Sequence, residues 1–464
     1  MSSSGEDYVS EDSDLVKRRI ANYFGDGTEY QLDRFLSNGI AAHAWLVRYR
    51  RQDQDPWRKM VLKTPAYVEG PLRQEQFANG PEGVEEFYEE SMLLKTLRAR
   101  HLVRLIEFGD QDPLERNGAR NYFGNWIYLE FLENGTLAQF VEKYKAQDIP
   151  YVPNRLLWRI FMCMIRACIA MAYIPPGDAV DRYDENEEPC LGSKGSYTHV
   201  DMHSKNVMIG AILGDPDDPE HDISPVVKFI DLDHHELYDG GEGEGARQNV
   251  FLVGANMAEV ILGLENQCLD ISEAEEEKKP PVPCQLPWRP AFNTFAKDML
   301  PGGQAGDRMP HPELDPYLRY LICLCCAAQE EERPRLADQL LPWVTQAIRE
   351  RDAAYYDGMD YCDGEEETDD CVLLFLEKVL GAAPPPQEEV DAGEAEEEQG
   401  GGGGGGPESM EIVYDSSGYG TSRSSRGTSR DGRETSPQLL VMDLHERFRQ
   451  REPLADRDDD MDLS

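Results

Sequence analysis

The chain has 464 residues, of which 89 are acidic and 46 basic, so its formal net charge is −43. Because such a charge repels phosphate, the composition argues against a protein that coats nucleic acid or an anionic membrane. A small phosphate-bearing ligand held locally by glycines, a lysine and a divalent cation is still compatible with it. Hydrophobic residues make up 40% of the chain, enough for a sizeable core.

We expect neither a secretory signal nor a membrane-spanning helix. Its first residues, MSSSGEDYVS, lack basic and apolar signal regions, and no stretch reaches the about 18 apolar residues of a spanning helix. The cysteines do not form two C-x-x-C pairs at zinc-like spacing, and Cys323, Cys325 and Cys326 lie in an apolar run typical of a buried helix. We therefore expect reduced thiols without a metal at that group, and an intracellular protein, cytoplasmic or nuclear, that binds no membrane.

Composition divides the chain into four parts. Residues 1–14 are predicted to be disordered, and residues 15–350 carry apolar segments at helix and strand spacing. Residues 351–381 are predicted as a linker with one short helix, in which Asp369 or Asp370 would cap an apolar run. Residues 382–464 are acidic, Gly-rich and Ser/Arg-rich, so we predict a disordered tail that is open to protein partners.

Within the folded part, hydrophobic patterning predicts strands first and helices later. Strands are expected at 30–35, 44–49 and 59–63, a helix at 85–97, and further strands at 102–108 and 126–131. A long helix at 156–173, short strands at 207–209 and 226–230, and helices at 250–262 and 318–328 follow. This order indicates an α+β fold with two lobes, at about residues 30–130 and 131–350.

The most informative segment is YTHVDMHSKNVMIG at 197–210, which is followed by VVKFIDLD at 226–233. Asp201 and Asn206 lie on a loop that leads into a short strand, and Asp231 follows a second strand. Mg²⁺ prefers oxygen ligands, so Asn206 and Asp231 are candidate ligands of a metal. Asp201 is then the candidate base, because phosphoryl transfer needs in-line positioning, charge neutralisation and a carboxylate near the incoming hydroxyl.

Over about residues 30–350 these motifs resemble the eukaryotic protein kinase family. MVLK at 60–63 is similar to the family's strand lysine motif, HVD at 199–201 to H-R-D, and DLD at 231–233 to D-F-G. The segment 128–137 resembles the hinge, 249–263 the helix after the activation segment, and Arg333-Pro334 the closing R-P. The resemblance implies a bilobal fold with an antiparallel-sheet N-lobe and a mainly helical C-lobe. It also implies an ATP- and Mg²⁺-dependent kinase, with serine or threonine as the expected acceptor.

The resemblance assigns nucleotide-binding roles as well. Lys63 would bind the α- and β-phosphates of ATP. Its partner would be Glu90, with the neighbouring Glu89 as the alternative. Backbone groups of Glu130 and Leu132 would meet the adenine ring.

The glycine-rich loop departs from the family pattern. LSNGIAAHAW at 36–45 keeps Gly39 but has Ser37 and Ala42 where the pattern has glycine. Side chains restrict positive φ and the closest approach of the backbone to phosphate. These three cofactor-binding positions therefore predict weaker nucleotide binding than in an ordinary kinase.

Further departures surround the loop motif. Val200 replaces the family's arginine, so control through a phosphorylated activation loop is not expected. His203 stands where serine/threonine kinases carry a lysine, and we expect Lys205 to supply the missing cation. His199 is expected to orient or pack, and not to act as a base. Asp233 adds a carboxylate beside the metal, which would either strengthen Mg²⁺ binding or repel phosphate.

The segment after Asp231 is short, since Asn249 follows it by only 18 positions and no A-P-E occurs. A peptide platform is therefore in doubt, and Arg333 is expected to lack the family's glutamate partner. Two other hypotheses stay open. One is a catalytically weak or inactive pseudokinase scaffold. The other is a small-molecule kinase, because HVDMHSKN and FIDLD also resemble motifs of the aminoglycoside/choline kinase group.

Overall fold

The computed structural model describes residues 17–18, 20–24, 29–38, 42–50, 55–65, 82–118, 126–174, 182–190, 196–212, 214, 217–232, 235–238, 243–263, 280–286, 289–301 and 308–381. The disorder predicted for 1–14 and 382–464 falls outside these residues, as do Gly39 and Asp233. The described part has the mixed α+β composition that the sequence predicts.

A five-stranded antiparallel sheet, with strand order β1-β2-β3-β5-β4, forms the first part of the fold. Its strands are β1 (Tyr30–Asn38), β2 (Ala42–Tyr49), β3 (Arg58–Pro65), β4 (Leu105–Ile106) and β5 (Ile127–Glu130). The strand predicted at 102–108 shrinks to two residues. Its first part bonds elsewhere, because the Val103 N–H donates to the Phe229 carbonyl at 2.9 Å.

The side chains of the sheet point alternately to two faces, of which one packs into a hydrophobic cluster and the other carries Lys63. Trp45 of β2 and Met60 and Leu62 of β3 are completely buried in one cluster. Successive side chains of a strand point to opposite faces, so Lys63 lies on the other face. Helix α1 (Glu82–Leu97) reaches that face, since the Glu90 carboxylate contacts the Lys63 ammonium.

Helices and three two-stranded sheets form most of the rest of the described chain. The helices are α2 (Pro113–Arg116), α3 (Leu137–Ala146), α4 (Asn154–Ala172), α5 (Glu244–Leu262), α6 (Pro316–Cys325), α7 (Leu341–Glu350), α8 (Ala353–Asp357) and α9 (Asp369–Leu380). The strands are β6 (Ser196–His199), β7 (Val207–Ile212), β8 (Pro225–Phe229), β9 (His235–Tyr238), β10 (Val282–Leu286) and β11 (Arg289–Thr294). The pairs β6–β9, β7–β8 and β10–β11 are antiparallel.

Helix α4 is the centre of the helical part, since all of its residues are buried. Helix α5 approaches α6 very closely at Gly254, where an added Cβ would lie 2.6 Å from the Cβ of Cys325. Cys325 and Cys326 lie at this contact, and they and Cys323 are buried, in agreement with the predicted buried helix. Among the described residues, none of the helices has the length and apolar character that crossing a membrane requires.

Residues 351–381 are not the linker that the composition predicts, because they pack into the folded unit. The Glu367 carboxylate is completely buried and accepts hydrogen bonds from the backbone N–H groups of Asn154 at 2.7 Å and Arg155 at 3.0 Å. These two donors begin α4, where backbone N–H groups lack intrahelical partners. A side chain from this segment thus caps the central helix, and the folded part extends to residue 381.

A buried ion pair fixes the start of the same segment. The Arg351 guanidinium Nε lies 2.8 Å from Asp315 Oδ2, and both side chains are almost completely buried. The guanidinium also lies 5.2 Å from the centre of the Trp158 ring on α4. Segment 351–381 is therefore tied to the helical part through both charge and aromatic contact.

The predicted helix near 371–380 is present as α9, but its cap differs from the prediction. The Thr368 hydroxyl accepts the N–H of Cys371 at 3.4 Å, so Thr368 is the N-cap. Asp369 and Asp370 occupy the first turn, where their charges interact favourably with the helix dipole.

Candidate functional site

Lys63 joins three elements that are distant along the chain. On β3 it pairs with Ala44 of β2 and Ile127 of β5. Its ammonium Nζ lies 2.7 Å from Glu90 Oε2 and 2.5 Å from Asp231 Oδ1. The lysine therefore bridges helix α1 and Asp231, the second residue after β8.

The structure distinguishes the two candidate glutamates of α1. Glu90 has no exposed surface and directs a carboxylate oxygen to Lys63, whereas Glu89 is exposed. Burying a carboxylate is costly unless it is paired, so the Lys63 ammonium explains how Glu90 tolerates its position. Of the two alternatives, Glu90 is the residue that contacts Lys63.

Asp231 has an unusual backbone conformation, with φ of +61°. The left-handed region costs a non-glycine residue about 1–2 kcal/mol, and aspartate is among the residues that tolerate it. The preceding Ile230 N–H donates to the Asn206 carbonyl at 3.0 Å, which ties this bend to the loop before β7. The Asp231 side chain keeps 37% of its surface exposed, so its carboxylate is accessible to a ligand as well as to Lys63.

The loop from Asp201 to Asn206 is closed by its own polar groups. Asn206 Nδ2 donates to the Asp201 carbonyl at 3.0 Å and to Asp201 Oδ2 at 3.1 Å. The Asn206 N–H donates to the His203 carbonyl at 2.8 Å. Because the Asn206 amide nitrogen faces Asp201, its oxygen is the atom that remains to face a cation. Lys205 is exposed on the same loop.

His199 is buried at the start of this loop and is held from both sides. Its N–H donates to Asn249 Oδ1 at 3.0 Å, and its ring Nε2 lies 3.0 Å from the Ile230 carbonyl, so Nε2 carries a proton. Burial lowers the pKa of His199 to about 4, against the opposing charges of Asp201 and Asp231. The ring is therefore neutral at pH 7 and connects the loop to the end of β8.

Helix α5 supports the loop through side chains that the sequence analysis did not single out. Asn256 Nδ2 donates to the Met202 carbonyl at 3.2 Å. The Ser204 hydroxyl donates to the buried Glu259 carboxylate at 2.8 Å. Together with Asn249, these contacts hold the loop from inside the helical part. Asn249, Asn256 and Glu259 all lie on α5, whose sequence is typical of an apolar core helix. No local sequence pattern therefore predicts that these side chains contact the loop.

The two predicted hinge residues contact the strands that lead to Asp231. Glu130 Oε1 accepts hydrogen bonds from Lys228 Nζ at 2.6 Å and from the Arg104 N–H at 2.7 Å. Leu132 is buried, and its side chain packs close to Gly210 of β7. The end of β5 is thus attached to the β7–β8 hairpin, and neither side chain joins the Lys63 cluster by the contacts described.

The segment predicted as the glycine loop, 36–45, includes the end of β1 and the start of β2, which pair in antiparallel orientation. Ser37 pairs with Ala44, next to an irregularity of the ladder between Phe35 and Ser37. The Ser37 side chain is exposed and Ala42 is buried, and Gly39 falls outside the described residues. The structure therefore describes the two strands on either side of this loop and not its tip.

Arg333 is held by main-chain groups and an aromatic ring. Its Nε donates to the Ala327 carbonyl at 3.1 Å, and its guanidinium lies 4.8 Å from the centre of the Phe251 ring. The carboxylate that approaches it is Glu330, 3.5 Å away and three residues earlier in the chain. The carboxylate beside Arg333 thus comes from its own segment of the chain, and not from the short segment before α5.

Comparison with models of known protein families finds no match, and a search of curated proteins finds no significant relative. Lys63 of β3 contacts the carboxylates of Glu90 on α1 and Asp231 after β8, and a main-chain hydrogen bond from Ile230 to Asn206 joins this cluster to the loop that carries Asp201. Such a set suits an anionic ligand that is accompanied by a divalent cation.

Proposed function

We propose that the chain is a protein kinase-like phosphotransferase that uses Mg²⁺ and ATP. In this proposal, the sheet β1–β5 with α1 corresponds to the small lobe and the helical part to the large lobe of a bilobal kinase fold. The observation that carries the proposal is the contact of Lys63 with both Glu90 and Asp231. Positioning of this kind is most of what catalysis of phosphoryl transfer requires.

The donor set at the site fits Mg²⁺. Asp231 offers an accessible carboxylate and Asn206 an amide oxygen, and both are hard oxygen ligands. The hydrogen bond between the Ile230 N–H and the Asn206 carbonyl keeps these two residues close. A bound Mg²⁺ would neutralise negative charge on the phosphates.

Other residues would bind and orient the two substrates. The Lys63 ammonium, held by Glu90, would bind phosphate oxygens. The Asp201 carboxylate is half exposed and fixed by Asn206, so it would accept a hydrogen bond from the acceptor hydroxyl. Lys205, exposed on the same loop, would bring a second cation to the transferred phosphate.

The geometry after β8 favours a second candidate function, transfer to a small hydroxyl compound. Strand β9 ends at Tyr238 and α5 begins at Glu244. This short connection leaves little chain for a platform that would hold a peptide. The acceptor class is therefore an outcome of the test below.

The test combines nucleotide binding with phosphoryl transfer. A thermal-shift titration with ATP, with and without Mg²⁺, is expected to stabilise the wild type and Asp201→Asn, but not Lys63→Ala or Asp231→Ala. Transfer from γ-labelled ATP to a panel of peptides and small alcohols is expected for the wild type, with a loss of at least about 100-fold in Asp201→Asn. Asp370→Asn, an exposed carboxylate on α9, is the matched control.

Each outcome decides one part of the proposal. Equal transfer by the wild type and Asp201→Asn removes Asp201 from catalysis. Mg²⁺-dependent ATP binding without transfer to any acceptor points to the pseudokinase alternative. A wild type that shows no ATP-dependent shift overturns the nucleotide site.

A further inference from the structure

A second cluster of titratable side chains lies in the interior, formed by segments that are far apart in sequence. His101 follows α1, Cys163 lies in the middle of α4, and His221 precedes β8. All three are completely or almost completely buried. None of them belongs to the Lys63 site, and their wide separation explains why no metal-ligand spacing was visible in the sequence.

The three side chains direct potential ligand atoms at one another. His101 Nε2 lies 3.1 Å from His221 Nε2, and His221 Nε2 lies 3.5 Å from Cys163 Sγ. All three ligand atoms lie within 4.8 Å of one another. A tetrahedral zinc ion has Zn–N bonds of about 2.0–2.1 Å and Zn–S bonds of about 2.3 Å. Those bonds place N and N about 3.3 Å apart, and N and S about 3.6 Å apart, close to the distances observed.

The opposite nitrogen of each imidazole is bound to a carboxylate. His101 Nδ1 lies 2.5 Å from Glu187 Oε2, and His221 Nδ1 lies 2.9 Å from Asp218 Oδ2. Asp218 is in turn held by Arg100 at 2.7 Å. Carboxylates in this position fix the ring orientation of metal-binding histidines and raise their basicity.

This arrangement leaves an electrostatic problem that a cation solves. With the protons on Nδ1, both Nε2 atoms direct lone pairs at each other across 3.1 Å. The contact is repulsive unless a proton or a metal ion lies between them. Among the described residues, this is the group of histidine, cysteine and carboxylate side chains whose geometry suits a metal ion.

The position of the cysteine also suits a metal ligand. Cys163 Sγ lies 3.5 Å from His221 Nε2 in the interior of the fold. Cys168, five residues further along α4, is equally buried but does not belong to the group of ligand atoms around the two histidines. Cys163 and Cys168 therefore form a matched pair that differs in contact with the imidazoles.

We propose that His101, Cys163 and His221 form a zinc site, with Nε2, Sγ and Nε2 as ligand atoms. Imidazole nitrogen and thiolate sulfur are the donors that zinc prefers in proteins. The Pro225 carbonyl oxygen, 4.0 Å from Cys163 Sγ, or a water molecule would complete a tetrahedron. The site would be structural, since it connects the turn after α1, the helix α4 and the loop before β8. It does not depend on the proposed phosphotransferase activity.

The test measures metal content and ligand identity on the full chain, purified without an immobilised-metal column. We expect about one zinc per chain in the wild type and in the matched control Cys168→Ala, and less than a tenth of that in Cys163→Ser and His221→Asn. Glu187→Gln keeps all three ligands and is expected to weaken zinc binding about 10–100-fold against a competing chelator. Replacement of zinc by Co²⁺ is expected to give a thiolate-to-cobalt absorption band in the wild type and Cys168→Ala, but not in Cys163→Ser.

Three results would overturn the assignment. The first is a metal-free wild type that binds neither Zn²⁺ nor Co²⁺ on titration, which would leave a shared proton between the rings. The second is an equal loss of zinc in Cys168→Ala and Cys163→Ser. The third is copper in place of zinc in the purified chain, since His and Cys ligands also bind copper. If Cys163→Ser fails to fold, the wild-type cobalt titration and Glu187→Gln still decide the question.

Discussion

The buried ring of His199 should make the stability of the fold depend on pH. Burial lowers its pKa to about 4 from the ordinary value of 6.5. A histidine with a lowered folded-state pKa stabilises the fold fully above pH 6.5, and this stability is lost as the pH falls from 6.5 towards 4. At pH 5 the unfolded ring is protonated and the folded ring is not, which costs about 2 kcal/mol relative to pH 7.5.

The substitution that isolates this effect is His199→Gln. Glutamine has no titratable group, and its amide can still donate to the Ile230 carbonyl that His199 Nε2 contacts. Urea unfolding at pH 7.5 and pH 5 is expected to show the wild type losing about 2 kcal/mol more than the variant. Thr198→Val, a buried neutral change next to it, is the control and should keep the wild-type pH dependence. Parallel pH dependence in His199→Gln and the wild type would show that the folded ring accepts a proton at pH 5, against the reasoning.

Three further substitutions, with Gly358→Ala as the control for Gly254→Ala, test the packing of the helical part by urea unfolding at pH 7.5. Glu367→Ala removes the cap of α4 and should cost about 3 kcal/mol, so a cost below about 1 kcal/mol would contradict the capping role. Arg351→Met leaves Asp315 buried and unpaired and should cost about 3–5 kcal/mol, whereas a neutral result would mean that water reaches the carboxylate. Gly254→Ala should cost about 1–3 kcal/mol through overpacking against α6. Gly358→Ala, whose added Cβ would meet its nearest neighbour at 3.7 Å, should change stability by less than about 0.5 kcal/mol.

The strands and helices were predictable wherever burial followed a simple period. Strand β3 alternates buried and partly exposed residues, and α4 is a long apolar run, so both could be located from sequence. The length of strand β4 could not be predicted in this way, because the backbone N–H of Val103 bonds to Phe229 and not to the sheet. A hydrophobic pattern indicates which side chains are buried, but it does not indicate which group a backbone N–H or carbonyl will bond to.

Composition places the end of the folded part too early in the chain for a related reason. Residues 351–381 are rich in acidic side chains, and composition assigns such segments to solvent. Glu367 and Arg351 are buried all the same, because a helix terminus and Asp315 supply their partners. Tertiary pairing of charges cannot be read from local composition.

The two side-chain clusters also differ in how visible they were. Lys63, Asp201, Asn206 and Asp231 each lie in a short segment with a strand nearby, so local patterns singled them out before any contact was known. The residues His101, Cys163 and His221 have no such context, and each is an isolated residue in an ordinary turn, core helix or loop. The contacts that join them exist only after the chain has folded.

The position of Glu367 has a practical consequence for anyone who wishes to express the folded part alone. A recombinant fragment cut at residue 350 would lack the carboxylate that satisfies the first backbone donors of α4. It would also expose the surface of α4 and α6 that Tyr356 and Arg351 cover. Such a fragment should be prone to aggregation and to digestion by proteases, whereas a fragment that extends to residue 381 should stay monodisperse and resist proteases.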